Sequence, residues 1–358
     1  MILLVIGIFY QADFGVFAAK EKIYRAFFIY WKSRDALFSF PIFPGGYFLS
    51  SMFLVNLISS LICRFRFSFK KLGILFIHIG LASLVCIELV NGLLSVESLL
   101  PIKIGQKSNY SLETNSTELA ILNNTSEEVA EIIFPESKIY SGNIINHPDL
   151  PFTLHIKKKL INASIRTNDL DQIDQTFQIA PNEMGSKVPI LEPPPINKER
   201  DLNNLTAWIE VREKEKNIGT LLLSSAIEEL QSLKFRNQDF KFVIRPKRRH
   251  FPFSIELTDF IHEIHPGTNI PKSFSSQVYL YSEDGVFDRS AYILMNQPLR
   301  YKGKKFYQAG YGEDNTISVL QVVENPGWAL SYFSPSLIII GLIYQFMSSF
   351  FLYSGKRK

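Results

Sequence analysis

The chain has 358 residues, 46% of them hydrophobic and 30 of them phenylalanine, yet its mean hydropathy is only +0.07. Strongly apolar segments must therefore be joined to a large polar one, which excludes both a wholly soluble domain and a wholly membrane-buried bundle. The formal net charge of +4 is concentrated in basic clusters beside apolar runs, so it points to membrane anchors and to no nucleic-acid partner.

The first apolar run, Met1–Phe9, is too short to cross a bilayer, which takes about 20 residues. It also lacks the basic leader of a signal peptide. The expectation is a first span that is shortened or begins upstream. Tyr47–Cys63 and Leu72–Leu94 are long enough to cross as helices, and between them lies Arg64-Phe65-Arg66-Phe67-Ser68-Phe69-Lys70-Lys71, basic and without an acid. The last run, Trp328–Tyr353, is followed by Gly355-Lys356-Arg357-Lys358. Basic loops stay in the cytoplasm, so both clusters are placed inside. The fold class read from this pattern is a membrane protein of about four transmembrane α-helices plus a large, mainly-β extracytoplasmic domain. The expected division is an N-terminal membrane region 1–94 with spans about 1–9, 47–63 and 72–94, an external domain 95–327, a final helix 328–353 and a basic cytoplasmic tail 354–358.

The external block, about 230 residues, can bury a core of its own. Phe253, Ile255 and Leu257 alternate with Ser254, Glu256 and Thr258, and Ile317, Val319 and Val322-Val323 lie among Ser318 and Gln321, patterns of half-buried strands. Asp284-Gly285 and Lys302-Gly303 supply turns. Thr167 to Lys198, ending near Pro193-Pro194-Pro195, reads as a loop or extended insertion, and Ala226–Phe235 as a short helix. Cys63 and Cys86 fall in separate spans near opposite bilayer faces, so no disulfide framework and no CxxC motif is expected. Phosphate-binding glycine loops, HExxH pairs and nucleophile elbows are absent from the sequence.

His78, inside the run Leu72–Leu94, is the residue that spanning does not require. An ionisable group there is costly unless partnered and marks a functional candidate. A neutral imidazole can serve as an axial ligand of haem iron, with its other nitrogen donating to a carbonyl or to Asn56. The plainer alternative is a hydrogen bond across the helix pair. Glu88 lies near the outer interface, where hydration would suffice. Lys247-Arg248-Arg249-His250 could meet propionates, headgroups or a partner, or be a solvated face. His262 and His265 have loose metal-ligand spacing without a third ligand. Gln11 and Asp13 follow the first run and are expected to shape an external loop, and Asn162-Ala163-Ser164 is a chance glycosylation triplet.

An ordered set of motifs runs through Phe253–Gly341: Ser254-Ile255-Glu256-Leu257-Thr258-Asp259-Phe260, then His265-Pro266-Gly267-Thr268-Asn269-Ile270-Pro271-Lys272-Ser273-Phe274-Ser275-Ser276, then Met295-Asn296-Gln297-Pro298-Leu299-Arg300-Tyr301-Lys302-Gly303, Phe306-Tyr307-Gln308 and Glu324-Asn325-Pro326-Gly327. Together with Tyr10-Gln11-Ala12-Asp13, Ile77-His78-Ile79-Gly80 and Glu97, they resemble the ResB (CcsB) family of system II cytochrome c biogenesis proteins. Residues 107–240 show no such match. The resemblance implies a role in moving haem b across a membrane, with a ResC (CcsA)-type membrane partner, and presenting it to apocytochrome c; the expected membrane is a bacterial inner membrane, although plastid membranes contain related proteins. It implies that His78 is the haem ligand, and that this chain is a subunit of a synthetase complex in which bond formation falls to the partner. Only Trp31, Trp208 and Trp328 are present, so the tryptophan-rich motif of the partner is not in this chain. The competing function class is a membrane-anchored sensor or adaptor with a structural His78; the short cytoplasmic segments leave it no output domain.

Overall fold

A computed structural model describes residues 1–32, 39–125, 128–165, 178–181, 187–191, 203–227, 230–236, 238–267, 271–312 and 316–355. Four α-helices occur among them: α1 Ile2–Ala19, α2 Gly46–Arg64, α3 Leu72–Leu94 and α4 Trp328–Gly355. Three helical stretches are long and apolar enough to cross a membrane, Gly46–Arg64, Phe69–Leu94 and Trp328–Phe351, while the apolar part of α1 is the shorter Ile2–Val16. The basic tail and the triple proline lie outside the described residues.

α1 differs from its sequence reading. The helix does not stop near Phe9 but carries Gln11 and Asp13 within it, so these residues shape no loop. It breaks at Gly15, whose φ of 85° is a conformation that glycine adopts without a Cβ penalty. A π-helical turn, Lys20–Tyr24, follows, and a Cβ on Gly7 would run into the Tyr24 ring. On one straight helix residues 7 and 24 would be about 25 Å apart, so the chain folds back at Gly15. A hairpin of Phe28–Lys32 with Ser39–Pro44 then leads to α2.

α3 and α4 pack through small residues at seven-residue intervals. Gly73, Gly80 and Ile87 are the buried residues of α3, and they meet Gly341, Ser334 and Gly327 respectively. A Cβ on Gly73 would lie 2.6 Å from the Gly341 carbonyl oxygen, one on Gly80 would lie 2.6 Å from Ile338 Cγ1, and one on Gly327 would run into Ile87. Lipid offers no hydrophobic drive for helix pairing, so close backbone approach and dispersion supply it. A seven-residue repeat keeps the seam facing its partner at a shallow crossing angle.

Beyond the helices the chain is β-rich. Among the described residues the largest sheet has ten strands, all neighbours antiparallel, with Gln238–Ile264 and Lys107–Thr125 as its long central pair. On one side of that pair lie Pro271–Ser282 and Phe287–Leu294; on the other, Val96–Lys103, Ile317–Glu324, Lys304–Tyr311 and Leu299–Tyr301. Arg289 Nη2 donates to the Arg300 carbonyl at 3.0 Å, so the two flanks curl back towards each other. The long strands serve two separate cores. Phe240, Phe242 and Ile244 point into one, shared with the four-stranded sheet that contains Thr153–Leu160 and Thr206–Glu213. Phe251, Phe253, Ile255 and Leu257 point into the other. Even positions face the first core and odd positions the second, as the two-residue alternation of a strand allows. The register against Lys107–Thr125 shifts between Pro246 and Arg248, where a proline is admitted because a bulge gives up a ladder bond.

Three further sequence readings are corrected. Gln231–Phe235 is a strand paired with Gln238–Phe242, and Ser225–Ala226 is a turn, so no helix spans 226–235. The stretch 167–198 contains strands at Gln178–Pro181 and Lys187–Leu191. In Ile317–Glu324 the inward face holds Ser318, Leu320 and Val322, while Ile317 and Val319 are only half-buried. Ser318 is inside because it is hydrogen-bonded there: its Oγ lies 2.7 Å from Ser276 Oγ and receives Gln308 Nε2 at 2.9 Å.

Where this domain joins the membrane helices, Glu324 accepts hydrogen bonds from Arg249 and Lys304. Burial pushes its carboxyl up, but the bonds from Lys304 and Arg249 outweigh burial and hold it below the usual carboxylate range. A depressed native pKa stabilises the fold fully above the unfolded value, about 4.3, and that contribution is lost as pH falls through the native value. Thermal melts from pH 6 downward should show stability falling below about pH 4.3, less steeply in Glu324→Gln; parallel profiles would contradict this.

Candidate functional site

His78 lies six residues into α3, about 9 Å along the axis from its start, and is half-buried. Its Nδ1 is 2.9 Å from the carbonyl oxygen of Ile74, one turn back. A carbonyl only accepts, so Nδ1 carries the proton and donates. The Nε2 lone pair is then left as the ring's acceptor, with the tautomer fixed by its own helix. At about 100° per residue, His78 is turned about 160° from Gly80 and so faces away from α4.

Asn56 is not the partner. Tyr47 of α2 lies against Gly92 of α3, and nine residues on in α2, counted nine back in α3, sets Asn56 level with Ser83. That is about 7.5 Å from His78 along the axis.

The other candidates are dispersed. Glu88 is exposed, and Glu97 pairs with Lys20 at 3.5 Å. The basic run is largely neutralised within the domain: Lys247 and Arg249 pair with Glu113 at 3.2 and 3.1 Å, Arg249 also with Glu324, and Arg248 lies 4.5 Å over the Tyr110 ring. His262 packs on Tyr311 with ring centroids 4.3 Å apart, and His265 is exposed beyond the strand end. Among the described residues no three His, Cys, Asp or Glu side chains converge. Asn162 is buried and its Oδ1 accepts from the Asn204 amide at 3.1 Å. Cys63 and Cys86 are free thiols.

The motif residues that carry the family resemblance are mostly architectural. Leu299, Tyr301 and Phe306 are buried with Phe253 in one core. Ser276 donates to Gln308 Oε1 at 2.6 Å, joining the distant Phe274-Ser275-Ser276 and Phe306-Tyr307-Gln308 segments. Asn325 Oδ1 accepts from the Gly327 amide at 3.0 Å, shaping the turn that delivers Gly327 to α3. Sequence reasoning missed the α3–α4 seam, although the seven-residue spacing of Gly73, Gly80, Gly327, Ser334 and Gly341 was a readable signal.

These features define a protein with helices apolar and long enough to cross a membrane, a two-core β domain, and an imidazole within one of those helices whose tautomer is set by its own helix. Residues 228–322 match the model of the ResB-like family, and that stretch is similar to ResB-like proteins. The chain is 27% identical over 141 residues to Protein NrfI of Wolinella succinogenes, a match that covers 39% of this chain and 16% of that relative. The matched region thus represents a small part of the relative's length.

Proposed function

We propose that the chain is the ResB-type component of a system II cytochrome c maturation complex, receiving haem b in the bacterial cytoplasmic membrane and passing it, with a ResC-type partner, to apocytochrome c. Haem is the cargo. His78 Nε2 takes one axial position of the iron and the partner supplies the other, because this chain offers a single imidazole at that depth. The thioether bonds form on the partner, while the β domain stands on the outer face. The observation that carries this reading is the Nδ1–H bond to Ile74 at 2.9 Å, which orients the ring for coordination through Nε2. The family match supports the pathway.

The chain is to be expressed with a ResC-type protein, purified in detergent and assayed for haem per polypeptide. His78→Ala should lower the haem content at least about tenfold, equivalent to about 1.4 kcal/mol, with unchanged far-UV dichroism. Equal haem content in both preparations, or none in either, would favour an adaptor in which His78 is satisfied by Ile74 alone.

A further inference from the structure

The hairpin of Leu299–Tyr301 and Lys304–Tyr311 sits where the β domain meets α4. Lys302 and Gly303 form its turn with φ of 42° and 80°, the primed geometry that matches strand twist. Arg300 and Lys305 are direct cross-strand partners. Like charges opposite each other destabilise a strand pair, and Lys302 adds a third cation at the tip. Arg300 and Lys302 are exposed.

None of these three cations is ion-paired among the described residues. Arg300 Nη2 donates to the Tyr332 hydroxyl at 3.1 Å, and Lys302 Nζ to the Pro252 carbonyl at 3.3 Å. Both acceptors are neutral. The nearby carboxylates are engaged elsewhere: Asp288 accepts from the Tyr301 hydroxyl at 2.7 Å, and Glu324 is held by Lys304 and Arg249. The charge on this hairpin is thus left without a counter-ion among the described residues, and Arg289 beside it donates only to the Arg300 carbonyl and lies over the Tyr301 ring.

Its position indicates the missing anion. Arg300 lies 5.6 Å from the ring centre of Trp328 and 5.8 Å from that of Tyr332. These residues lie one turn apart at the start of α4 and are 45% and 59% exposed. Trp and Tyr at the end of a spanning helix mark the level of the headgroups, where phosphates lie and where basic side chains gain about 1 kcal/mol each from anionic lipid. The geometry points to a binding site for the phosphate of an anionic phospholipid, formed by Arg300, Lys302 and Lys305 on the hairpin and floored by Trp328 and Tyr332. A phosphate between Arg300 and Lys305 relieves their repulsion and fixes the hairpin, and with it the β domain, against the bilayer. This site is independent of haem and of His78.

Tryptophan quenching tests it. With Trp31→Phe and Trp208→Phe, Trp328 is the sole tryptophan of the full chain, which is reconstituted in phosphatidylcholine vesicles containing equal mole fractions of either dibrominated phosphatidylglycerol or dibrominated phosphatidylcholine. The relative association constant at Trp328 should favour phosphatidylglycerol about fivefold, the equivalent of one cation–headgroup contact. It should approach unity in Arg300→Gln/Lys305→Gln and be retained in Arg300→Lys/Lys305→Arg, which keeps the charges. Equal quenching in the unsubstituted pair, or a preference that survives charge removal, would overturn the proposal.

Discussion

Gly80→Leu should loosen α3 from α4 and lower the melting temperature of the detergent-solubilised chain. A Cβ at this position already falls 2.6 Å from Ile338 Cγ1 and 3.0 Å from the Ser334 carbonyl oxygen, so a leucine has no rotamer that avoids the facing helix. Overpacking of a tight interface costs about 1–3 kcal/mol. Here the nearest backbone belongs to a helix that cannot move without carrying Gly327 and Gly341 away from their own contacts. Ile79→Leu, one residue away and 38% exposed, should be nearly silent. Ile338→Ala should recover part of the loss in Gly80→Leu, because it removes the nearest side-chain atom. A double substitution whose effects simply add would show that the two residues do not meet.

Phe253→Ala should be the most damaging single change within the β domain. Its side chain is 1% exposed. It stacks on Phe251 at 5.2 Å between centroids and meets Tyr301 edge-on at 4.8 Å and Phe306 at 6.2 Å. Truncating a buried phenylalanine costs about 3–5 kcal/mol through lost transfer energy and the remaining cavity, and the aromatic pairings are lost with it. For a domain of this size that corresponds to a fall in melting temperature of about 10 °C, measured by near-UV dichroism. Phe240→Ala, buried in the other core, should also be severe. If the two lobes unfold separately, each substitution should shift its own transition and leave the other in place.

The membrane part was largely legible because bilayer thickness imposes a length that composition reveals. The run Leu72–Leu94 is α3 residue for residue, α2 extends one position beyond its run at each end, and α4 starts with its run and extends two positions beyond it. α1 was not legible, since its reversal depends on one glycine torsion and on the packing of Tyr24 on Gly7. In the β domain the alternation at Phe253–Leu257 correctly gave the buried face. The same logic failed at Ser318, where hydrogen bonds from residues far away in sequence make the polar side the buried one. Ala226–Phe235 misled because its residues favour helix locally, while the edge of the long strand Gln238–Ile264 claims its second half. His78 stood out in sequence through its cost in a membrane, but the Ile74 carbonyl that sets its tautomer appeared only with the helix built.

The identity of the axial ligand is the most direct test of the haem reading. Haem retained by the complex of this chain with a ResC-type partner is to be examined by ferric electron paramagnetic resonance, near-infrared magnetic circular dichroism and redox titration, with His78 intact and as His78→Met. Coordination by Nε2 predicts a bis-imidazole spectrum in the first case and an imidazole–thioether spectrum with a raised reduction potential in the second. Indistinguishable spectra and potentials would show that the iron is held elsewhere.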